Sequence, residues 1–181
     1  MNCDSVILVL TDRRFSEAPE LNAIKPRHRG KEYGVEASNL LDMTDISVKT
    51  IQACVLLGTI SFAGRRLQSE ALYYSIANRL ALILGLPHRP AATVIERQVN
   101  LRIWWTLYMI DIWSSTGLHL PRQIGFSEHT PLPCEEPLFL RFHASTQAPD
   151  HALLVPGIWG EMVHLAHIWT EIHEVDRKSV V

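Results

Sequence analysis

Apolar residues in the middle of the chain recur every three or four positions, which is the spacing of one face of an α-helix. The first such row is formed by Val48, Ile51, Val55 and Phe62. Ser47 precedes the row as a possible N-cap, and Gly64 follows it as a stop. The pattern predicts a mostly buried helix between Ser47 and Gly64.

A second row of the same period follows, formed by Leu72, Ile76, Leu80 and Ile83. Ser69 stands where a helix could begin, Gly85 stands where it could end, and Pro87 lies just beyond. We therefore predict a second helix that starts at Ser69 and stops before Gly85.

A third and longer helix is predicted after Thr93. Thr93 and Glu96 have the spacing of a capping box, in which each side chain accepts a hydrogen bond from a free backbone N–H at a helix start. Downstream of them the residues are apolar on nearly all faces of a helix as far as Trp113. A helix of this kind belongs at the centre of a domain.

The last third of the chain contains a long connection and one more predicted helix. Five prolines between residues 117 and 156 predict an irregular segment. From Pro156 onward, the apolar residues on one helical side are Ile158, Met162, Leu165, Trp169 and Ile172. Almost opposite lie the polar residues His164, His167, Glu171 and Glu174. No segment alternates like a strand, so the fold class we predict is an all-α, irregular multi-helix domain.

Residues 1–44 show no sustained period, and they contain four prolines or glycines. We expect an irregular or partly disordered lead-in over 1–44 and the folded domain over 45–181. The lead-in carries a cluster of basic residues, Lys25, Arg27, Arg29 and Lys31. Such a run could serve nuclear import or contact phosphates, or it could be a solvated basic loop.

The composition argues against binding to nucleic acid or to a membrane through overall charge or a spanning segment. The chain has 181 residues, 47% of them hydrophobic, and a formal net charge of −2. This charge gives no overall attraction to nucleic acid or to anionic lipid. No apolar run approaches the length that spans a bilayer, so we expect no membrane partner.

Candidate chemistry is sparse. His164, His167 and Glu171 share one predicted helical face and are the best candidates for metal ligands, although a solvated face explains them equally well. No nucleophile elbow or phosphate loop is present, so we predict that the chain is not an enzyme. Cys54 lies on a core face, and acidic neighbours of Cys134 would raise the pKa of its thiol, so neither predicts a reactive thiolate.

Asp111 stands out because a carboxylate late in a helix opposes the helix dipole. It shares a row with Trp104 and Tyr108, so we expect it to be buried and to need a partner. Candidates are Arg79, Arg122, a hydroxyl group or backbone N–H groups. A structural pairing is favoured over recognition of a ligand.

The run from residue 96 to 111 resembles the central motif of the fungal-specific transcription factor domain, the middle homology region of fungal zinc binuclear cluster regulators. The residues that carry the likeness are Glu96, Arg102, Trp104, Trp105, Tyr108 and Asp111. The two preceding helices and the segment around Cys134 also resemble the family, so the likeness covers about residues 45–140. Leu120 and Pro121 depart from it, because they stand where the family has a Gly-Arg-Pro turn.

The resemblance implies a nuclear regulatory domain that takes part in transcription. In the family, an N-terminal cluster with six thiolates binds zinc and reads DNA. Only Cys3 lies in the corresponding region of this chain, so we expect this chain to bind no cofactor. We expect any contact with DNA to be made only through such a cluster, which is missing from this chain. Expected partners are other segments of a transcription factor or a homodimer partner, with a small-molecule effector as a further possibility. The family domain runs further, so truncation at the C-terminus is expected. Alternatives are a truncated product without function, whose missing helices would leave an apolar face exposed, and a small helical metal- or ligand-binding protein.

Overall fold

The computed structural model describes residues 30–142 and 156–179, and the side chains within these ranges as far as residue 173. Within them the chain is helical and contains no strand, which confirms the all-α prediction. The helices are α1 Lys31–Leu40, α2 Val48–Ala63, α3 Leu67–Ile83, α4 Val94–Leu118, α5 Glu136–Phe139 and α6 Ile158–Ser179.

The chain divides into two compact units. The first comprises Met1–Leu80 and contains α1, α2 and most of α3. The second comprises Ala81–Val181 and contains the end of α3 and all of α4, α5 and α6. The family motif noted in the sequence lies wholly in the second unit.

The predicted caps of α2 and α4 are confirmed. Ser47 Oγ accepts a hydrogen bond from the backbone N–H of Thr50, and α2 ends at Gly64 as predicted. Thr93 Oγ1 accepts from the backbone N–H of Glu96 at 3.1 Å. Helix α3, by contrast, begins at Leu67 and not at Ser69 as predicted.

Helix α1 corrects the expectation of irregular backbone throughout residues 1–44. Its contact face is made of small residues: Gly34 is buried with its backbone against Ile60 of α2, and Ala37 packs on the pair Leu57 and Ile60. A periodicity search weighted toward large apolar side chains does not detect such a face. Residues 1–29 lie outside the described part of the chain.

Helix α3 follows the predicted row only in part. Leu80 of that row is buried and Leu72 is exposed, whereas Tyr74 and Ala77, which lie outside the row, are buried. The Tyr74 ring lies directly on Gly58 of α2, where a β-carbon would come within 2.3 Å of the ring. Glycine therefore sets how closely α2 and α3 approach, since any larger residue would collide with the ring.

In the second unit, α4 is the central helix, as its apolar faces predicted. Leu101, Trp105 and Leu107 are fully buried within it. Helix α6 packs beside α4 and buries Val163 and Ala166. Among the described residues, no helix has the length and hydropathy needed to span a membrane.

Candidate functional site

Backbone N–H groups, one of the predicted kinds of partner, bind Asp111. Its carboxylate is buried, and Oδ2 accepts hydrogen bonds from the N–H of Gln123 at 2.7 Å and of Ile124 at 3.0 Å. Both donors belong to the connecting loop, residues 119–135, that joins α4 to α5. Arg122, one of the side chains considered as a partner, donates to Thr170 Oγ1 on α6 at 3.1 Å.

Two further side chains of α4 hold the same loop. The indole N–H of Trp105 donates to the carbonyl of Pro131 at 2.9 Å, and Gln98 Oε1 accepts from the N–H of Cys134 at 3.0 Å. The loop residues advance from 123 to 134 while their partners on α4 recede from 111 to 98, so the loop runs back along the helix for about 20 Å. We call Gln98, Trp105 and Asp111 the loop clamp.

Arg102 ties down the far end of the loop. Its guanidinium donates to the carbonyl of Cys134 at 3.1 Å and to the carboxylate of Glu136 at 2.5 Å, and it lies 4.1 Å from the centre of the Phe139 ring. The planar guanidinium makes all three contacts at once, which a lysine ammonium could not do. Arg102 therefore fixes both the loop and the start of α5.

The remaining residues of the family motif are structural. Glu96 Oε2 accepts a hydrogen bond from the N–H of Ala92, which completes a capping box displaced by one residue from the predicted one. Trp104 is buried in the core. Tyr108 is buried against Trp105 and Phe126, with ring centres 5.4 and 5.8 Å away, and burial raises the pKa of its hydroxyl.

The candidate metal ligands on α6 point to different partners. His167 stacks on Phe126 at 3.9 Å, and its Nδ1 lies 3.4 Å from the Tyr108 hydroxyl. Its other nitrogen is 3.6 Å from Glu171, whereas His164 lies near Glu161. Within the described part of the chain, no group of three His, Cys, Asp or Glu residues could hold a metal ion. The side chain of Glu174 lies outside the described residues.

The residues present do not fit the zinc cluster of the family. Six thiolates are needed for two zinc ions, and the chain has three cysteines. Cys54 and Cys134 are buried in different units, and burial raises the pKa of the Cys54 thiol to about 11. Burial is also the main reason why the pKa of Cys134 is raised, ahead of the acidic neighbours cited above.

Helix α6 exposes its large apolar residues. The residues Ile158, Met162, Leu165, Trp169 and Ile172, which we call the apolar stripe, are 41% to 79% exposed. Ile168 beside the stripe and Trp113 on α4 are also exposed, and the Trp113 and Trp169 rings lie 5.6 Å apart. The core is instead met by the smaller residues Val163, Ala166 and Thr170.

A cleft of about 220 Å³ opens where α4 ends beside α6. Ile112 and Leu120 give it apolar walls, while Thr116, Arg122 and His173 give it polar ones. His119 ends α4 in the left-handed conformation, at φ 54°, and also lines the cleft. The cleft thus has walls of mixed polarity.

Two features were not predicted from the sequence: the role of Gln98 as a clamp residue and the outward orientation of the apolar stripe. The role of Gln98 could have been predicted, because a polar residue buried within an otherwise apolar helix must find a hydrogen-bond partner. The orientation of the stripe could not, since α6 has both a row of large and a row of small apolar residues and either could face the core. Of the basic run, only Lys31 is within the described residues, where it begins α1 and is exposed.

The second unit is thus a helical domain in which one central helix clamps a long loop through its own polar side chains. The model of the fungal specific transcription factor domain matches residues 14–177. The chain belongs to this family, and it is a regulatory domain of a fungal transcription factor.

Two relatives are themselves activators. The chain is 28% identical to Activator of stress genes 1 of Saccharomyces cerevisiae over 152 aligned residues. The aligned region covers 79% of this chain and 16% of the relative. The chain is 30% identical to Activator of stress genes protein 1 of Candida albicans over 109 aligned residues. That region covers 55% of this chain and 11% of the relative. The chain therefore spans less than a fifth of either relative. No solved structure matches it.

Proposed function

We propose that this chain acts in the nucleus as a non-catalytic regulatory unit, and that it does not itself read DNA sequence. The loop clamp is the observation that carries the proposal. Asp111 and Gln98 of the clamp, together with Arg102 beside it, direct their polar groups at backbone atoms of the connecting loop, so the motif builds a fixed frame. Polar groups committed in this way are not available as acids, bases or nucleophiles for a substrate.

The first test concerns DNA. The formal charge of −2 and the shortage of thiols support a chain that lacks its own base-reading module. In a gel shift with a pool of random duplexes, we expect no sequence-selective complex at physiological salt. A selective complex that persists at that salt concentration would refute this part of the proposal.

The second test concerns regulation. The chain is fused to an unrelated DNA-binding module in yeast, and a reporter placed under that module's site is measured. We expect the fusion to change reporter output relative to the module alone, and Asp111→Ala to abolish the change because it releases the loop. The matched control is Glu128→Ala, an exposed carboxylate in the same loop. Output equal to that of the bare module for every fusion, at equal protein abundance, would contradict the proposal.

The third test concerns location. The basic run supports nuclear import, so a large fluorescent fusion should accumulate in the nucleus. Replacing Lys25, Arg27 and Arg29 with alanine should abolish accumulation, whereas replacing the exposed pair Arg65 and Arg66 should not. Equal nuclear signal for both variants would remove this role from the basic run.

A small-molecule effector is a second candidate role, and the cleft beside α6 favours it. Arg122 on its wall suits a carboxylate, and Trp169 lies 6.5 Å from His173 at its rim. Malonate is the probe, with neutral malonamide as control and tryptophan fluorescence as readout. We expect a saturable change with malonate that Arg122→Gln abolishes; equal responses to both compounds would refute carboxylate recognition.

A further inference from the structure

The turn between α2 and α3 carries two adjacent arginines, Arg65 and Arg66. Both side chains are exposed, and neither takes part in an ion pair within the part of the chain that the structure describes. Arg66 stands three residues before Ser69, and Arg65 stands four residues before it. A serine with arginines at these distances suits a protein kinase whose substrate groove is lined by carboxylates, because such a groove selects its substrates by charge.

Ser69 belongs to the first turn of α3, which begins at Leu67. Its side chain is partly exposed, and its hydroxyl has no hydrogen-bond partner among the described residues. The hydroxyls of Ser38 and Thr44, by contrast, are engaged in hydrogen bonds of 2.7 and 2.6 Å with other side chains. The Ser69 hydroxyl is thus free to accept a phosphoryl group.

The first turn of α3 lacks the cap that the other long helices have. Arg66 precedes the helix, and its side chain contains only donors, so it cannot accept a hydrogen bond from the free N–H groups at the helix start. Ser47 and Thr93 supply such an acceptor for α2 and α4. A helical turn without a cap opens more readily than a capped one.

Glu70 makes the opening of this turn easier. Its side chain is buried, and burial raises the pKa of its carboxyl group with no hydrogen bond or cation to offset the effect. A charged carboxylate is costly in such surroundings, so an opening that restores its hydration recovers part of that cost. The same opening gives Ser69 the extended backbone that a kinase groove accepts.

We propose that Ser69 is a phosphorylation site for a protein kinase that selects arginine three residues before its acceptor, and that the first turn of α3 opens to present it. The kinase transfers the γ-phosphoryl group of ATP to Ser69 Oγ. The new O–P bond forms as the bond to the β-phosphate breaks, ADP leaves, and the hydroxyl proton passes to a carboxylate of the kinase. The phosphate brings negative charge into a turn that now carries two unpaired arginines.

The first experiment measures phosphate transfer to the purified chain. A kinase of this class is added with ATP, and mass spectrometry of peptides follows the phosphate on Ser69. We expect modification that Arg66→Gln slows about tenfold or more, because one charge-assisted contact with the kinase is lost. The matched control is Arg79→Gln, an exposed arginine of the same helix with no serine or threonine three residues after it; it should leave the rate unchanged.

Two references make the outcome decisive. A peptide with the same arginine spacing shows that the kinase is active, and circular dichroism shows that the variants are folded. Ser16 follows Arg13 at this spacing, so the two serines are read in separate peptides. An active kinase that leaves Ser69 unmodified overturns the proposal. Equal rates in Arg66→Gln and Arg79→Gln also overturn it, because Arg66 would then not direct the kinase.

The second experiment tests the opening of the turn. Glu70→Gln removes the buried charge and should slow modification of Ser69 in the folded chain several-fold. A peptide of residues 62–74 is too short to hold a helix in water, so the same substitution should leave its rate unchanged. An unchanged rate in the folded chain, or an equal slowing in the peptide, overturns the opening step. Neither experiment measures transcription, so the regulatory proposal can fail or stand independently of this one.

Discussion

Replacing Asp111 with alanine tests whether the carboxylate holds the connecting loop. The change removes the acceptor of two backbone N–H groups, those of Gln123 and Ile124. The Ile124 N–H is buried and would be left without a partner, which costs about 1–3 kcal/mol. Gln123 is exposed, so water can replace part of its lost bond. We expect a total loss of about 3 kcal/mol for Asp111→Ala.

Asp111→Asn separates charge from geometry. An amide oxygen can still accept a hydrogen bond, but it lacks the negative charge that strengthens such bonds, so we expect a loss of about 1 kcal/mol. Urea unfolding followed by tryptophan emission gives the free energies, and Glu128→Ala, in the same loop but exposed, should change stability by less than about 0.5 kcal/mol.

Hydrogen exchange supplies the local measurement. The amides of Gln123 and Ile124 should exchange slowly in the native protein and much faster in Asp111→Ala, before the amides of α4 are affected. The reasoning would be refuted by an Asp111→Ala protein within about 0.5 kcal/mol of the native one with both amides still protected.

Three further outcomes follow from the packing. Gly58→Ala should cost about 1–3 kcal/mol in thermal unfolding, because the new methyl group meets the Tyr74 ring, and an unchanged midpoint would contradict this. Burial raises the pKa of Glu70 above its ordinary 4.5. Just above that pH the folded chain therefore binds more protons than the unfolded chain, and its stability falls as the pH rises. Urea unfolding at several pH values should show a smaller fall in Glu70→Gln, and an equal fall would refute the assignment. Because the pKa of Cys54 is about 11, iodoacetamide at pH 8 should label this thiol only after unfolding, as peptide mass spectrometry would show.

Sequence patterns predicted the helices whose limits depend on local chemistry. Ser47 and Thr93 cap α2 and α4 because a hydroxyl directly before the first helical turn can accept a hydrogen bond from one of its free backbone N–H groups. The burial of α4 was also predictable, since no polar face was available to water. For Asp111, the sequence indicated a need for a partner, and backbone N–H groups were among the alternatives considered.

Other features depend on contacts between distant segments. Helix α1 packs through Gly34 and Ala37, which carry almost no hydrophobic signal. Helix α6 has two apolar rows, and it is the row of small residues with Val163 that is buried. The partner of Gln98 is 36 residues away, in a loop whose path no local rule specifies.

The loop clamp binds main-chain atoms of the connecting loop. Trp105 binds the carbonyl of residue 131, while Gln98 and Asp111 bind the N–H groups of residues 134, 123 and 124. None of these bonds requires a particular side chain at the loop residue it reaches, so the clamp itself tolerates substitution there; the loop side chains that matter are those buried or stacked elsewhere, such as Ile124 and Phe126. Proline is the exception at 123, 124 and 134, because it has no N–H to donate. The path of the loop is thus set by α4, and side-chain replacement at an exposed loop position such as Gln123 leaves the clamp bonds in place.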